Sequence, residues 1–301
     1  MATTVSFINF KGGVGKTTLC VEIAASLAHK FDERVLIVDL DPQTNATLSL
    51  MTEAAWQAHA GANGTLANFF DACYSGTPFD LAKTIVRKPV QYEGKLTKLD
   101  IIPSHIELFG MDLRLATKFG HDNLKAKLFL KKALSALAGD YDYIFIDCPP
   151  NLYLATQNGL FASDYYCIVA LAEYLSTLGI AHIQKSVGLV FSEARSLLAD
   201  IGSGGAAFIE PKLLGILFNR VRYLTHGTSD EDGIMRQIRS RYPNTVFKHF
   251  VPQSTQIASR PETKIPIAVS GYANDRNYED RLKTVAEEFY DRVARPEPIT
   301  P

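Results

Sequence analysis

The sequence predicts an α/β fold, a doubly wound and mainly parallel sheet flanked by helices, and three observations predict it. A glycine- and lysine-rich run, Phe10-Lys11-Gly12-Gly13-Val14-Gly15-Lys16-Thr17-Thr18, stands between an apolar segment (4–9) and a helix-like stretch (19–30). Two more apolar runs, 35–39 and 143–147, end in Asp39 and Asp147, as buried strands do when they carry carboxylates to the ligand-binding edge of a sheet. Segments of strand character alternate with segments of helix character along most of the chain, which requires crossover connections and so parallel pairing.

In chain order, apolar runs of strand length predict strands at 4–9 and 34–39, with the helix 19–30 between them. Residues 51–90 read as less regular. A strand at 99–103, helices at 107–117 and 124–138 and the strand 143–147 come next. The pair Pro149-Pro150 continues neither strand nor helix freely, so a stiff loop follows. After a helix come a strand at 165–171, a long helix at 176–198 and a strand at 212–219. A helix at 234–242, a short strand at 246–251 and a final helix at 278–293 complete the order. Gly202-Ser203-Gly204-Gly205 reads as a flexible surface loop, 222–233 as a mobile loop of unknown purpose in which His226 has no metal partner, and 296–301 as a frayed tail. With no internal repeat and no composition break, 1–295 is expected to be one domain.

The chemistry of the first run is that of a phosphate cradle. Glycines let successive N–H groups turn inward on an anion, and the following helix adds its positive end. Lys16 is placed to reach the β- and γ-phosphates, and Thr17 to hold Mg²⁺. Asp39 would sit beside that ion, Asp41 would face an attacking water, and Asp147 would hold the metal from the neighbouring strand. The bland alternatives are a glycine turn that binds nothing and aspartates that cap the next helix.

The run 10–18 resembles the deviant Walker A box, K-G-G-x-G-K-[ST]-[ST], of the ParA/MinD superfamily of dimerising P-loop ATPases, closest to its ParA-type partition members. The resemblance extends to Asp39-Leu40-Asp41-Pro42-Gln43-Thr44-Asn45, which matches D-x-D-P-Q-x-N with Thr44 where the family often has glycine. It continues through Asp147-Cys148-Pro149-Pro150-Asn151-Leu152, Asn158-Gly159-Leu160 and Ala172-Glu173-Tyr174. It implies ATP and Mg²⁺ as cofactors, with Lys11, Gly12, Gly13, Val14, Gly15, Lys16, Thr17 and Thr18 around the phosphates. Lys11 is implied to cross a two-fold seam to the nucleotide of a second copy, so that the ATP state is a homodimer. Asn219, Arg220 and Pro252 are implied at the adenine, although a strand-end asparagine also simply closes turns. Further implications are non-specific DNA binding, weak ATP hydrolysis alone and stimulation by a cargo-bound activating protein of ParB type. Such a protein positions or segregates a plasmid, chromosome or protein cargo, and would be cytoplasmic and nucleoid-associated.

Composition narrows the alternatives. With 301 residues, 47% hydrophobic, the chain can bury one large α/β core. No signal peptide is evident, and no apolar run approaches the roughly 18 residues that cross a bilayer. Cys20, Cys73, Cys148 and Cys167 lack C-x-x-C spacing, which argues against zinc, a disulfide framework or a carried cluster, and so against a nitrogenase-iron-protein-like role. Cys148 reads as a packed small residue. A MinD-like membrane cycle needs a basic amphipathic C-terminal anchor, whereas 293–301 is short and Pro-rich, so no membrane partner is expected. Lys11 together with the D-x-D-P-Q-x-N box argues for the positioning branch over a synthetase. With the phosphate loop starting near residue 10, no N-terminal helix-turn-helix is expected.

A net charge of −1 gives no whole-chain pull toward DNA. Locally, Arg236, Arg239, Arg241, Lys248, Arg260 and Lys264 face only Glu262 as an acid between residues 233 and 264. Arg236 and Arg239, three apart on a helix, share a face. These six are the candidate DNA surface, the alternative being a solvated helix face. Lys118, Lys125, Lys127, Lys131 and Lys132 read as ordinary helix surface. Ser259-Arg260 stands where the family usually has a glutamate-alanine pair.

Overall fold

The computed structural model describes residues 1–90, 92–120, 124–200, 208–222 and 230–295. Its elements begin with β1 (Thr3–Ile8), α1 (Lys16–Lys30), β2 (Val35–Asp39), α2 (Asn45–Leu50), α3 (Glu53–Asn63) and α4 (Leu66–Ser75). Then come β3 (Val86–Arg87), β4 (Leu99–Ile102), α5 (Met111–Phe119), α6 (Leu124–Lys127), α7 (Phe129–Ser135), β5 (Tyr143–Asp147) and α8 (Leu154–Ala162). The last third holds β6 (Tyr165–Leu171), α9 (Tyr174–Asp200), β7 (Lys212–Asn219), α10 (Asp230–Arg241), α11 (Thr255–Thr263), α12 (Ile267–Ser270) and α13 (Arg276–Ala294).

Seven strands form one sheet in the order β3-β4-β2-β5-β1-β6-β7, parallel except for β3, which runs against β4. The predicted doubly wound α/β class is therefore the observed one. Each inner strand is buried on both faces, which is why its sequence is a near-continuous apolar run. Leu36, Val38, Ile144 and Ile146 pack on one face with α4, α7, α8 and α9. Val35, Ile37, Tyr143 and Phe145 pack on the other with α1, α12 and α13. There the ring of Phe289 from α13 stacks on Phe7 at 6.0 Å and meets Phe145 edge-on at 5.1 Å. Parallel pairing of β2 with β5 sets Asp39 directly opposite Asp147. The carboxyl edge of the sheet thus acquires two adjacent acids.

Four expectations need correction. Residues 51–90 are not irregular: they contain α3 and α4, capped by Thr52 and by Thr65, whose partner Asn68 closes a reciprocal cap. The helix expected at 124–138 is broken into α6 and α7. Asn158 takes the N–H of Leu130 at 3.0 Å and donates to the carbonyls of Ala126 and Leu154. On α6, Lys127 is buried rather than part of a helix surface. The strand expected at 246–251 is reduced to isolated bridges, Ile216 to Val246 and Val221 to Pro252. Between them Glu288 of α13 accepts the N–H groups of Lys248 and His249 at 2.8 and 2.9 Å, diverting them from the ladder. Helices α11 and α12 add to the expected order. The Gly202–Gly205 loop, residues 223–229 and the tail 296–301 lie outside the described residues, while 230–233 begin α10. Among the described residues no helix is long and apolar enough to cross a membrane.

One buried acid couples α1 to the C-terminal helices. Glu22 accepts the N–H groups of Ile267 and Ala268, at 3.0 and 3.1 Å, and so caps α12. Burial pushes its carboxyl up to about 7, against the pull of those donors and of Arg260. Between its ordinary value near 4.5 and about 7 the folded state holds a proton that the unfolded state has released, so stability falls as pH rises through that window. Urea unfolding of the nucleotide-free protein should lose up to about 3 kcal/mol from this group between pH 5 and 8. Glu22→Gln should flatten the profile by that amount, and parallel profiles for the two proteins would refute it.

Candidate active site

After β1 the chain makes a loop held from below by side chains. Asn9 accepts the N–H of Lys11 at 2.8 Å and donates to the carbonyl of Val169 at 2.6 Å, tying the loop's start to β6. Gly15 precedes α1 at φ 91°, and a Cβ there would lie 2.0 Å from Nδ2 of Asn219. Both backbone and space therefore demand glycine. Asn219, buried at the end of β7, donates to the carbonyl of Val14 at 2.9 Å, and Arg220 donates to that of Gly13 at 3.1 Å. Pro252 is buried beside Val221. The two side chains read as adenine residues thus brace the phosphate loop here. No side chain caps α1, so its first N–H groups lack a side-chain acceptor.

Lys16 opens α1 and is 6% exposed. Burial lowers its ammonium's pKa, while Asp147 and then Asp41 pull it back up. Thr17 donates its hydroxyl to Oδ2 of Asp147 at 2.6 Å. Asp39 accepts at Oδ2 from both the N–H and the hydroxyl of Thr47, at 2.8 and 2.6 Å. On each of these two aspartates Oδ1 is buried and has no hydrogen-bond partner. Desolvation, then the neighbouring Asp147, pushes Asp39 well above the usual carboxylate range, and burial raises Asp147 to about 7 despite Thr17 and Lys16. Two facing carboxylates with unpartnered buried lone pairs beside a threonine hydroxyl are the donor set a hard divalent cation takes, so the residues fit Mg²⁺.

Asp41 lies two residues past the end of β2 at Asp39. Its Oδ1 accepts the N–H of Gln43 at 2.9 Å, and its carbonyl accepts the hydroxyl of Ser104 at 2.7 Å. Thr44 then adopts φ 58°, ψ 24° before α2. A β-branched residue in the left-handed region is strained by roughly 1–2 kcal/mol. That backbone is what glycine would adopt freely.

Lys11 extends to Glu173 at the end of β6, Nζ to Oε2 2.6 Å, with each side chain half exposed. An exposed pair of this kind contributes less than about 1 kcal/mol, so it opens easily. Three residues outside the candidate list therefore join the site: Glu173, Thr47 and Ser104. Only Glu173 had a sequence signal, its place in the Ala172-Glu173-Tyr174 stretch of the family resemblance. Cys148 is buried and its thiol is pushed up to about 12 by burial, which fits a packed and unreactive side chain.

The six basic candidates divide. Arg236, Arg241 and Lys248 are exposed. Arg239 donates to the carbonyls of Phe247 and Lys248, at 3.3 and 3.0 Å, and is half-buried. Arg260 pairs at 2.6 Å with the buried Asp275, and Lys264 donates to the carbonyl of Leu48. These last two are occupied in holding α11 to the body.

A family model described as an AAA domain, AAA_31, matches residues 2–199. The sporulation initiation inhibitor protein Soj of Bacillus subtilis (strain 168) is 32% identical over 89% of this chain and 90% of its own length. The chromosome partitioning protein ParA of Myxococcus xanthus (strain DK1622) is 30% identical over 86% of this chain and 78% of its own. Among solved structures, the ATP complex of a Cyanothece McdA variant shares the fold with a TM-score of 0.71 at 20% identity, covering 96% of each chain. With its early lysine, its paired aspartates and relatives of this kind along most of its length, the chain belongs to the AAA_31 family and, within it, to the ParA/MinD-type partition ATPases.

Proposed function

We propose that this protein is an ATP-driven positioning switch: ATP and Mg²⁺ favour a homodimer, the dimer holds DNA without reading its sequence, and hydrolysis stimulated by a cargo-bound partner of ParB type releases it. The observation that carries the reading is the phosphate loop with two lysines in different surroundings. Lys16 is buried among the acids of its own site, while Lys11 stands half exposed at the rim on Glu173. A rim cation is suited to serve a triphosphate held by a second copy, offsetting charge that develops on transferring oxygens.

Within one copy, the N–H groups of 12–18 cradle the phosphates and Lys16 orders them. Asp39, Asp147 and Thr17 would hold Mg²⁺, which supplies neutralising charge on the phosphate oxygens when bound. Asp41 orients the attacking water as its hydrogen-bond acceptor. Arg236, Arg241 and Lys248, with Arg239 at their margin, offer phosphate contacts that a dimer doubles, supporting a nucleoid-associated protein. ATP can drive the cycle only by distinguishing the two states, because a ligand shifts only an equilibrium it discriminates.

DNA retention at several salt concentrations with ATP, ADP or no nucleotide tests this reading. Retention should require ATP and weaken steeply with salt, whereas equal retention in all three states would overturn it. Changing Arg236 and Arg241 to Glu should weaken DNA binding at least tenfold with ATP affinity intact. Lys11→Ala should bind ATP within threefold of wild type but neither dimerise in light scattering nor turn over. Normal turnover would remove the role in trans.

A further inference from the structure

We infer that Thr47 and Ser104, which belong to no phosphate motif, are positioning residues that jointly set the carboxylates of Asp39 and Asp41, and that Trp56 is wired to the same setting. The inference rests on reading the site as one for a metal and a triphosphate.

A carboxylate at a strand end turns freely about its terminal torsion. Thr47 removes that freedom. From α2 it gives Oδ2 of Asp39 two donors, its own N–H at 2.8 Å and its hydroxyl at 2.6 Å, and leaves Oδ1 as the unpartnered oxygen. A hydroxyl carries one hydrogen. The N–H of Ser104 occupies a lone pair of the Thr47 hydroxyl at 3.1 Å, so that hydrogen is committed to Asp39. Ser104 then sends its own hydroxyl to the carbonyl of Asp41 at 2.7 Å. One buried serine at the end of β4 therefore touches both acids' supports: it orients the hydroxyl that fixes Asp39, and it pins the backbone that carries Asp41.

The chain of bonds continues outward. The carbonyl of Ser104 accepts the indole N–H of Trp56 at 3.0 Å, and the Trp56 ring lies 5.4 Å from that of His105. Trp56 is the chain's single tryptophan, and it sits on α3, a helix that buries none of its side chains. A displacement of Ser104 moves the acceptor of the indole N–H directly. Movement of the Asp39–Asp41 segment is thereby transmitted to the half-buried Trp56.

The test uses full-length protein carrying Thr47→Val, Thr47→Ser or Ser104→Ala. Thr47→Val keeps the main-chain bond and shape but loses the hydroxyl; Mg²⁺ affinity in the presence of a non-hydrolysable ATP analogue should fall about 10- to 100-fold, as when a metal ligand loses its support. Nucleotide affinity without Mg²⁺ should stay within threefold, and Thr47→Ser should restore Mg²⁺ affinity. Ser104→Ala leaves the hydroxyl of Thr47 in place and releases Asp41. It should lower kcat with KM for ATP unchanged, and should abolish the Mg²⁺-ATP-dependent change in Trp56 emission that the wild type is expected to show. That second variant carries the test should Thr47→Val not fold. Wild-type Mg²⁺ affinity in Thr47→Val, or wild-type kcat and emission in Ser104→Ala, overturns the inference while the site reading stands. Wild-type protein that shows no Mg²⁺-dependent nucleotide binding overturns both.

Discussion

Lys16→Ala is expected to abolish nucleotide binding, with affinity falling at least 100-fold in equilibrium titration with an ATP analogue. Lys16 is 6% exposed, so its interactions are weakly screened and a charge-assisted bond to phosphate counts for more than it would at the surface. It is also the cation that offsets Asp147 and Asp41. Without it a polyanion would enter a pocket lined by three buried acids, Asp39, Asp41 and Asp147, and mutual repulsion would oppose binding. The same argument says that Asp147 takes up a proton more readily in the variant, because one of the influences holding its carboxyl down is gone. Affinity within threefold of wild type would show that the backbone cradle alone suffices.

Asp41→Ala is expected to keep ATP but lose hydrolysis by 10²- to 10⁴-fold, the usual worth of a positioned proton acceptor. Its carboxylate also accepts the N–H of Gln43, so alanine removes a turn contact along with the charge. Asp41→Asn separates the two, since an amide oxygen still accepts that N–H. Both variants should be equally dead if the role is chemical, and both should accumulate as an ATP-loaded dimer in light scattering. Activity recovered in the asparagine variant would make the turn, not the charge, the essential feature.

The phosphate loop and its three aspartates were legible in the sequence because each motif is local: glycines, a lysine and a strand-end acid within a few residues. That Asp39 faces Asp147 was not legible, because it depends on β2 and β5 being neighbours although more than a hundred residues separate them. Ser104 reaches Thr47 and Asp41 from about sixty residues away, and Thr47 and Ser104, as single polar residues, carry no pattern. Helix α3 escaped notice because none of its side chains is fully buried and it shows no apolar stripe, although Thr52 and Gly64 mark its ends. The strand expected near 248 failed for a tertiary reason, capture of two N–H groups by Glu288. Lys127 and Arg260 show how charge counting misleads. One is buried, and the other is bound to Asp275, so neither adds to a surface field.

The two rims of the sheet bear on how such molecules crowd together. At one rim β3 is only two residues long and runs antiparallel, Arg87 is anchored to Asp100 and Tyr141, and the chain swings away at Lys88 with φ 51°. At the other rim the segment after Thr245 lies along β7 and has surrendered amides to Glu288. Among the described residues neither border offers a free ladder onto which another molecule's backbone could zip. Two copies that meet at these borders are therefore left to touch through side chains, not through an extended sheet.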